Sequence, residues 1–185
     1  LFFAVLAVYF LTKRNDFIFW ICGTVSIILS LALYQSYIEV TVVLLIIYFI
    51  YYTINDGTAK DTLIKGIKSI AAIILGVALY IAASNVVCRV FNVQKEERTD
   101  AFSGFKGNFA LELKIMIYKI VDTFANPVTV YNSKLMGLLN SLLVFIGICV
   151  CVFLILKYCN SIKEKIIAFS LLICIPFSLN FIIFL

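Results

Sequence analysis

The chain contains no histidine. That absence removes the commonest general base and metal ligand. The six cysteines do not fill the gap. Cys22, Cys149, Cys151 and Cys174 lie inside apolar runs, where thiols behave as small hydrophobes, and Cys149 and Cys151, two apart on a helix, do not face each other. Cys88 and Cys159 fall near opposite membrane faces in the topology drawn below, so neither a metal site nor a redox pair is expected. Charge is scarce too, at 14% of residues. No long apolar run carries Asp, Glu, Lys or Arg at its middle, and no internal repeat is visible, which argues against an ion-coupled transporter. The segment 55–61 has an Asp-Gly turn signal but no phosphate-cradling glycine motif, and no chemistry is assigned to it.

What the chain does have is apolar length. Hydrophobic residues make up 64% of its 185 positions and its mean hydropathy is +1.11, against an apolar share of about 45–50% in soluble domains. A bilayer core about 30 Å thick is crossed by on the order of 20 apolar residues in a helix. Runs of that kind extend from Phe17 to Tyr34, Tyr37 to Ile54, Ile70 to Val90, Leu135 to Leu156 and Ile166 to Leu185. A sixth, Leu1 to Leu11, is too short to span. It lacks a preceding basic region and a following small-residue cleavage site, so it reads as the remainder of a helix in a longer protein and not as a signal peptide. The expected fold is all-α, a polytopic transmembrane helix bundle of about six spans with the first truncated, forming one membrane-embedded domain over 1–185.

Lysine and arginine in short loops set orientation. Lys13 and Arg14 lie in the first loop, Lys60, Lys65 and Lys68 in the third, Lys157, Lys163 and Lys165 in the fifth, and none in the second. The odd loops are therefore expected inside, and the Gln35 turn and the segment 91–134 outside. A tilted or kinked single helix over Phe17 to Ile54 is the alternative to a hairpin, but it would split the basic loops between the two faces. The net charge of +5 fits topology and anionic headgroups, not nucleic acid.

The outer segment is polar from Asn92 to Asp100, flexible around Gly104 and Gly107, and then helical in pattern. Asn108 is a plausible N-cap, and Phe109, Leu113, Met116, Ile117, Ile120, Val121 and Phe124 recur at helical spacing. An amphipathic helix over about 108–126, stopped before Pro127, is expected to lie on the outer leaflet or against the bundle.

Polar groups at the edge of a bilayer are costly and mark candidate sites. Tyr34, Gln35, Ser36, Tyr37 and Glu39 gather at one outer turn, with Ser84, Asn85 and Arg89 at the outer end of the next helix. Phenols, an amide and a carboxylate can hydrogen-bond sugar hydroxyls, while Arg89, Arg98 or Lys106 can pair with a phosphate. Equally, Tyr34 and Tyr37 suit an interfacial aromatic belt, and Gln35 can simply cap the turn. Asn140, Ser141, Ser178 and Asn180 are candidates for helix–helix hydrogen bonds or for ligand contact, and Pro176 is expected to kink the last helix.

The order Leu31-Ala32-Leu33-Tyr34-Gln35-Ser36-Tyr37-Ile38, an apolar helix, a basic inner loop, then Gly76-Val77-Ala78-Leu79-Tyr80-Ile81 before a long outer segment resembles the GtrII-type bacterial membrane glucosyltransferases. The resemblance implies a polytopic, GT-C-like enzyme of the bacterial cytoplasmic membrane that needs no cofactor. Its donor would be a polyprenyl-phosphate sugar and its acceptor a cell-surface glycan. Glycosyl transfer needs a carboxylate to take the acceptor's proton and cationic or dipolar groups to stabilise the leaving phosphate. Glu39 and Asp100 are weak candidates for the first role. Tyr34, Gln35, Tyr37, Arg89, Arg98 and Lys106 are the substrate-binding candidates, with no metal ligand among them. Families of this kind place essential acids in an outer loop N-terminal to Leu1. A lipid-linked sugar flippase or other polytopic transporter is the rival reading. A polymerase or acyltransferase of the same membrane, or a scaffold, stands further off.

Overall fold

Six helices account for nearly all of the described chain: α1 (Phe2–Lys13), α2 (Phe17–Leu33), α3 (Tyr37–Asn55), α4 (Ala59–Val90), α5 (Lys134–Tyr158) and α6 (Ile162–Ser178). The computed structural model describes residues 1–13, 16–55, 58–92, 114–115, 117–118, 120, 134–159 and 161–178, with no strand among them. A chain this apolar has no water to satisfy its backbone in lipid, so its N–H and C=O groups pair within helices. By length and composition α3, α4 and the Ser141–Tyr158 part of α5 can cross a bilayer, whereas α1 and α2 are apolar but shorter.

Helix α4 begins at Ala59, about three turns before the apolar run at Ile70. The physical cause is a cap. Thr58 Oγ1 accepts from the Asp61 N–H at 3.2 Å and donates to Asp61 Oδ2 at 2.7 Å, and lysines at 60, 65 and 68 cost a helix almost nothing. Charge marks where lipid ends, not where helix ends. At its far end α4 stops after Val90, with the Phe91 N–H bonded to the Val87 carbonyl at 3.0 Å and Asn92 at φ 54°, a left-handed conformation that asparagine tolerates.

Between α2 and α3 the chain reverses. Tyr34 is extended at φ −164°, ψ 120°, and its N–H closes on the Ser30 carbonyl. The Tyr37, Ile38 and Glu39 N–H groups then bond to the carbonyls of Tyr34, Gln35 and Ser36 at 3.0, 3.2 and 3.2 Å. Helix α3 returns along α1 and α2: the Tyr48 hydroxyl donates to the Thr12 carbonyl at 3.4 Å, and the Thr53 and Thr62 hydroxyls meet at 3.0 Å where α4 departs. This is a hairpin and not a kinked single helix.

Helices α2 and α4 run parallel in close contact. The Trp20 indole N–H donates to the Lys68 carbonyl at 3.0 Å, and further along a Cβ on Gly76 would sit 2.8 Å from Ile27 Cγ2. Apolar burial gives helices in lipid no hydrophobic drive, so close packing of small residues holds them. Ala4 and Ala7 of α1, Thr24, Ser26 and Ser30 of α2 and Ala72 of α4 are all buried. One core joins Ala7, Ile27, Leu31, Ile38 and Ala72, with Tyr80 packed against it. A second joins Ile46 and Ile50 of α3 to Ile155, Cys159 and Ala168. Helix α3 is therefore the shared wall.

The lysines of α4 and of the α5–α6 junction collect at one end. Lys65 Nζ lies 3.8 Å from the Tyr52 ring centroid, and Lys60 and Lys163 line a single groove. Helix α5 has apolar side chains exposed around its circumference, including Leu142, Leu143, Phe145 and Ile146. A helix apolar on every side belongs in lipid or inside a larger bundle. Lys114, Ile115, Ile117, Tyr118 and Ile120 are helical; the rest of the expected helix at 108–126 lies outside the described residues. Pro176 stands in the last turns of α6.

Candidate functional site

The polar corner sits at the end of the bundle opposite Lys60, Lys65 and Lys163. Its base is rigid, because Leu31 and Ile38, on either side of the turn, are both buried in the first core, at 3% and 1% exposure. Above them Tyr34 is 60% exposed, while Gln35, Ser36, Tyr37 and Glu39 are half-buried. The Tyr34 and Tyr37 rings meet edge to face at 5.4 Å, which fixes both phenol planes and adds about 0.5–1.5 kcal/mol beyond area burial. Glu39 occupies the first turn of α3, where the helix dipole favours a negative charge.

Helix α4 runs alongside α2 up to this height. With Trp20 level with Lys68 and Ile27 level with Gly76, a rise of 1.5 Å per residue carries Ser84 and Asn85 to about the height of Tyr34 and Gln35. Arg89, exposed in the last turn of α4, rises roughly 6–8 Å higher by the same register. The corner thus brings Tyr34, Gln35, Tyr37 and Glu39 onto one turn, whereas Arg89, at about 100° per residue from Gly76, falls on the side of α4 turned away from Ile27. Asp100, Arg98 and Lys106 lie outside the described residues. So do the side chains of Asn140 and Asn180, whereas the Ser178 hydroxyl donates to the Ile175 carbonyl at 2.7 Å.

Two features of the corner escaped the sequence reading. Tyr80 packs directly beneath it against the first core. Ser30, one turn below Tyr34 and 1% exposed, has a hydroxyl with no hydrogen-bond partner. The neighbouring hydroxyls of Thr24, Ser26 and Thr41 each donate to the carbonyl four residues back, at 3.0, 2.8 and 3.0 Å. Nothing in the order of residues distinguishes Ser30 from these, since its rotamer is chosen by packing.

A half-buried amide, two braced phenols and a helix-start carboxylate can together receive several hydroxyl groups of one sugar ring, aromatic faces packing on its apolar side and polar atoms on its edges. Neither a curated protein nor a solved structure matches the chain. The family described as Glucosyl transferase GtrII matches residues 1–185, its whole length, and the chain belongs to that family.

Proposed function

We propose that the chain acts in a membrane glucosyltransferase that takes glucose from a polyprenyl-phosphate donor and transfers it to a cell-surface glycan on the outer side of the bacterial cytoplasmic membrane. Family membership over 1–185 carries this reading. It is supported by the separation of a polar corner from a lysine-bearing end, because lysines gather on the inner face and the corner then opens outward, where the glycan is.

In this reaction the acceptor hydroxyl oxygen bonds to C1 of the glucose while the bond from C1 to the donor phosphate breaks. The bonding pair stays with the phosphate, and the acceptor's proton passes to a carboxylate. Gln35 and the Tyr34 and Tyr37 hydroxyls hold the sugar. Glu39 is the described carboxylate closest to them in the chain, with Asp100 the other candidate, and Arg89, Arg98 and Lys106 are the cations for the phosphate.

The test is Gln35→Ala in the intact protein, with glycan decoration read by mass spectrometry and membrane insertion checked separately. Loss of a positioning contact lowers decoration on the order of tenfold or more while insertion stays normal. Unchanged decoration would remove Gln35 from the site.

A further inference from the structure

At the end away from the corner, the first turns of α4 and α6 enclose a groove of about 550 Å³ lined by Ala59, Lys60, Leu63, Ile64, Lys163, Ile166 and Ile167. Two matching local sequences build it. In Thr58-Ala59-Lys60-Asp61 and Ser161-Ile162-Lys163-Glu164 the first residue caps the helix, and the fourth is an acid turned back on the cap. Asp61 Oδ2 accepts from Thr58 Oγ1 at 2.7 Å, and Glu164 Oε2 accepts from the Ser161 N–H at 3.1 Å. Each box engages its own carboxylate and leaves the lysine in third place to the groove. The result is an apolar trough lined in part by one lysine from each of two helices, their stems on its wall.

We propose that this groove binds an anionic phospholipid of the leaflet at the lysine-bearing end. The phosphate sits between Lys60 and Lys163, and an acyl chain lies along Leu63, Ile64, Ile166 and Ile167. Charge complementarity selects the anionic headgroup, since basic pockets between membrane helices on that side suit such lipids. The apolar lining selects a lipid over a free anion. By clamping α4 to α6 the lipid braces the second core, which otherwise joins α6 to the rest through α3 and α5. The proposal is independent of the glucosyl-transfer reading, because the groove and the corner lie at opposite ends of the bundle.

The experiment places the intact protein in nanodiscs of phosphatidylcholine alone or with phosphatidylglycerol, and reads both melting temperature and the number of phosphatidylglycerol molecules retained by native mass spectrometry. Phosphatidylglycerol raises the melting temperature of the wild type, and Lys60→Gln with Lys163→Gln weakens its retention on the order of tenfold. Lys60→Arg with Lys163→Arg restores it, and Lys157→Gln, a charge loss at the same end outside the groove, leaves it unchanged. Equal retention by wild type and the glutamine pair would overturn the site. So would an equal loss in Lys157→Gln, or a melting shift reproduced by inorganic phosphate alone. If the glutamine pair fails to fold, the single variants Lys60→Gln and Lys163→Gln carry the test: each is expected to weaken retention several-fold, and wild-type retention in both would overturn the site.

Discussion

Gly76 is the position at which a single carbon reports on the architecture. A Cβ there would lie 2.8 Å from Ile27 Cγ2 and 3.2 Å from Ile27 Cβ, where apolar carbons prefer about 3.5–4.0 Å. Ile27 is 1% exposed, and a β-branched side chain in a helix has essentially one χ1 rotamer, so it has nowhere to turn. Helices α2 and α4 must then part by several tenths of an ångström. Overpacking of this kind costs about 1–3 kcal/mol, against which Gly→Ala returns at most about 1 kcal/mol of helix propensity. Gly76→Ala therefore falls between neutral and about 2 kcal/mol destabilising, and Gly76→Leu, which adds further carbons at the same place, exceeds it. Gly23 is the milder case, because its Cβ would meet Leu11 Cδ2 and Cγ, both at 2.7 Å, on a side chain that is not β-branched and can change rotamer. Gly66 and Gly147 have nothing within 4 Å, so alanine at either one stabilises by roughly 0.5–1 kcal/mol. Thermal unfolding in detergent, followed by thiol-reactive dye or by size exclusion, ranks the four. The expected order of melting temperature is Gly66→Ala and Gly147→Ala highest, then Gly23→Ala, then Gly76→Ala and Gly76→Leu. Because the same contact seats α4 against the core that carries the corner, Gly76→Leu also lowers glucosyl transfer. A Gly76→Leu protein that melts with the wild type would refute the α2–α4 packing.

Three further outcomes follow from individual groups. Ser30→Ala removes a buried hydroxyl without a partner and raises stability by about 1–3 kcal/mol, seen as a higher melting temperature; a marked fall would mean that the hydroxyl has a partner. Thr58→Ala deletes the cap of α4 and costs about 1 kcal/mol, whereas Thr58→Ser restores it; equal melting of both variants would contradict the cap. Cys159, 3% exposed at the α5–α6 junction, has its thiol pushed above the ordinary value by burial first and by Glu164 second, with Lys165 partly offsetting them. Its maleimide reaction is slow at neutral pH and quickens only as pH rises beyond the usual thiol range. Since the folded state holds that proton more tightly than the unfolded one, any stability it contributes is present at neutral pH and declines at alkaline pH. Rapid labelling of Cys159 at neutral pH in the folded protein would contradict the burial.

Much of the fold could be read from apolar length and lysine placement, because both follow from the bilayer and not from details of packing. The hairpin at Tyr34–Tyr37 was legible for that reason: with no lysine or arginine at the turn, only a reversal keeps the basic segments together. The start of α4 was not, since an apolar-run argument ends at the first charges, while the Thr58–Asp61 cap and three lysines extend the helix beyond the lipid. Gly76 stood in the sequence as part of a family-like string, but its role depends on meeting Ile27, a contact between residues far apart in the chain that no local pattern encodes. In the corner, Tyr34, Gln35, Tyr37 and Glu39 stand out in the sequence because polar groups at a membrane edge are rare. Ser30 and Tyr80 were missed because burial and rotamer, not residue type, give them their place.

The account rests on the corner and the lysine-bearing end facing different compartments. Single cysteines at Ser36 and at Lys60, introduced separately into an otherwise cysteine-free intact protein, can be probed in whole cells with a membrane-impermeant maleimide. Labelling of Ser36→Cys from the medium, with Lys60→Cys labelled only after the cells are opened, is the predicted result. Labelling of Lys60→Cys from the medium with Ser36→Cys protected would contradict the account.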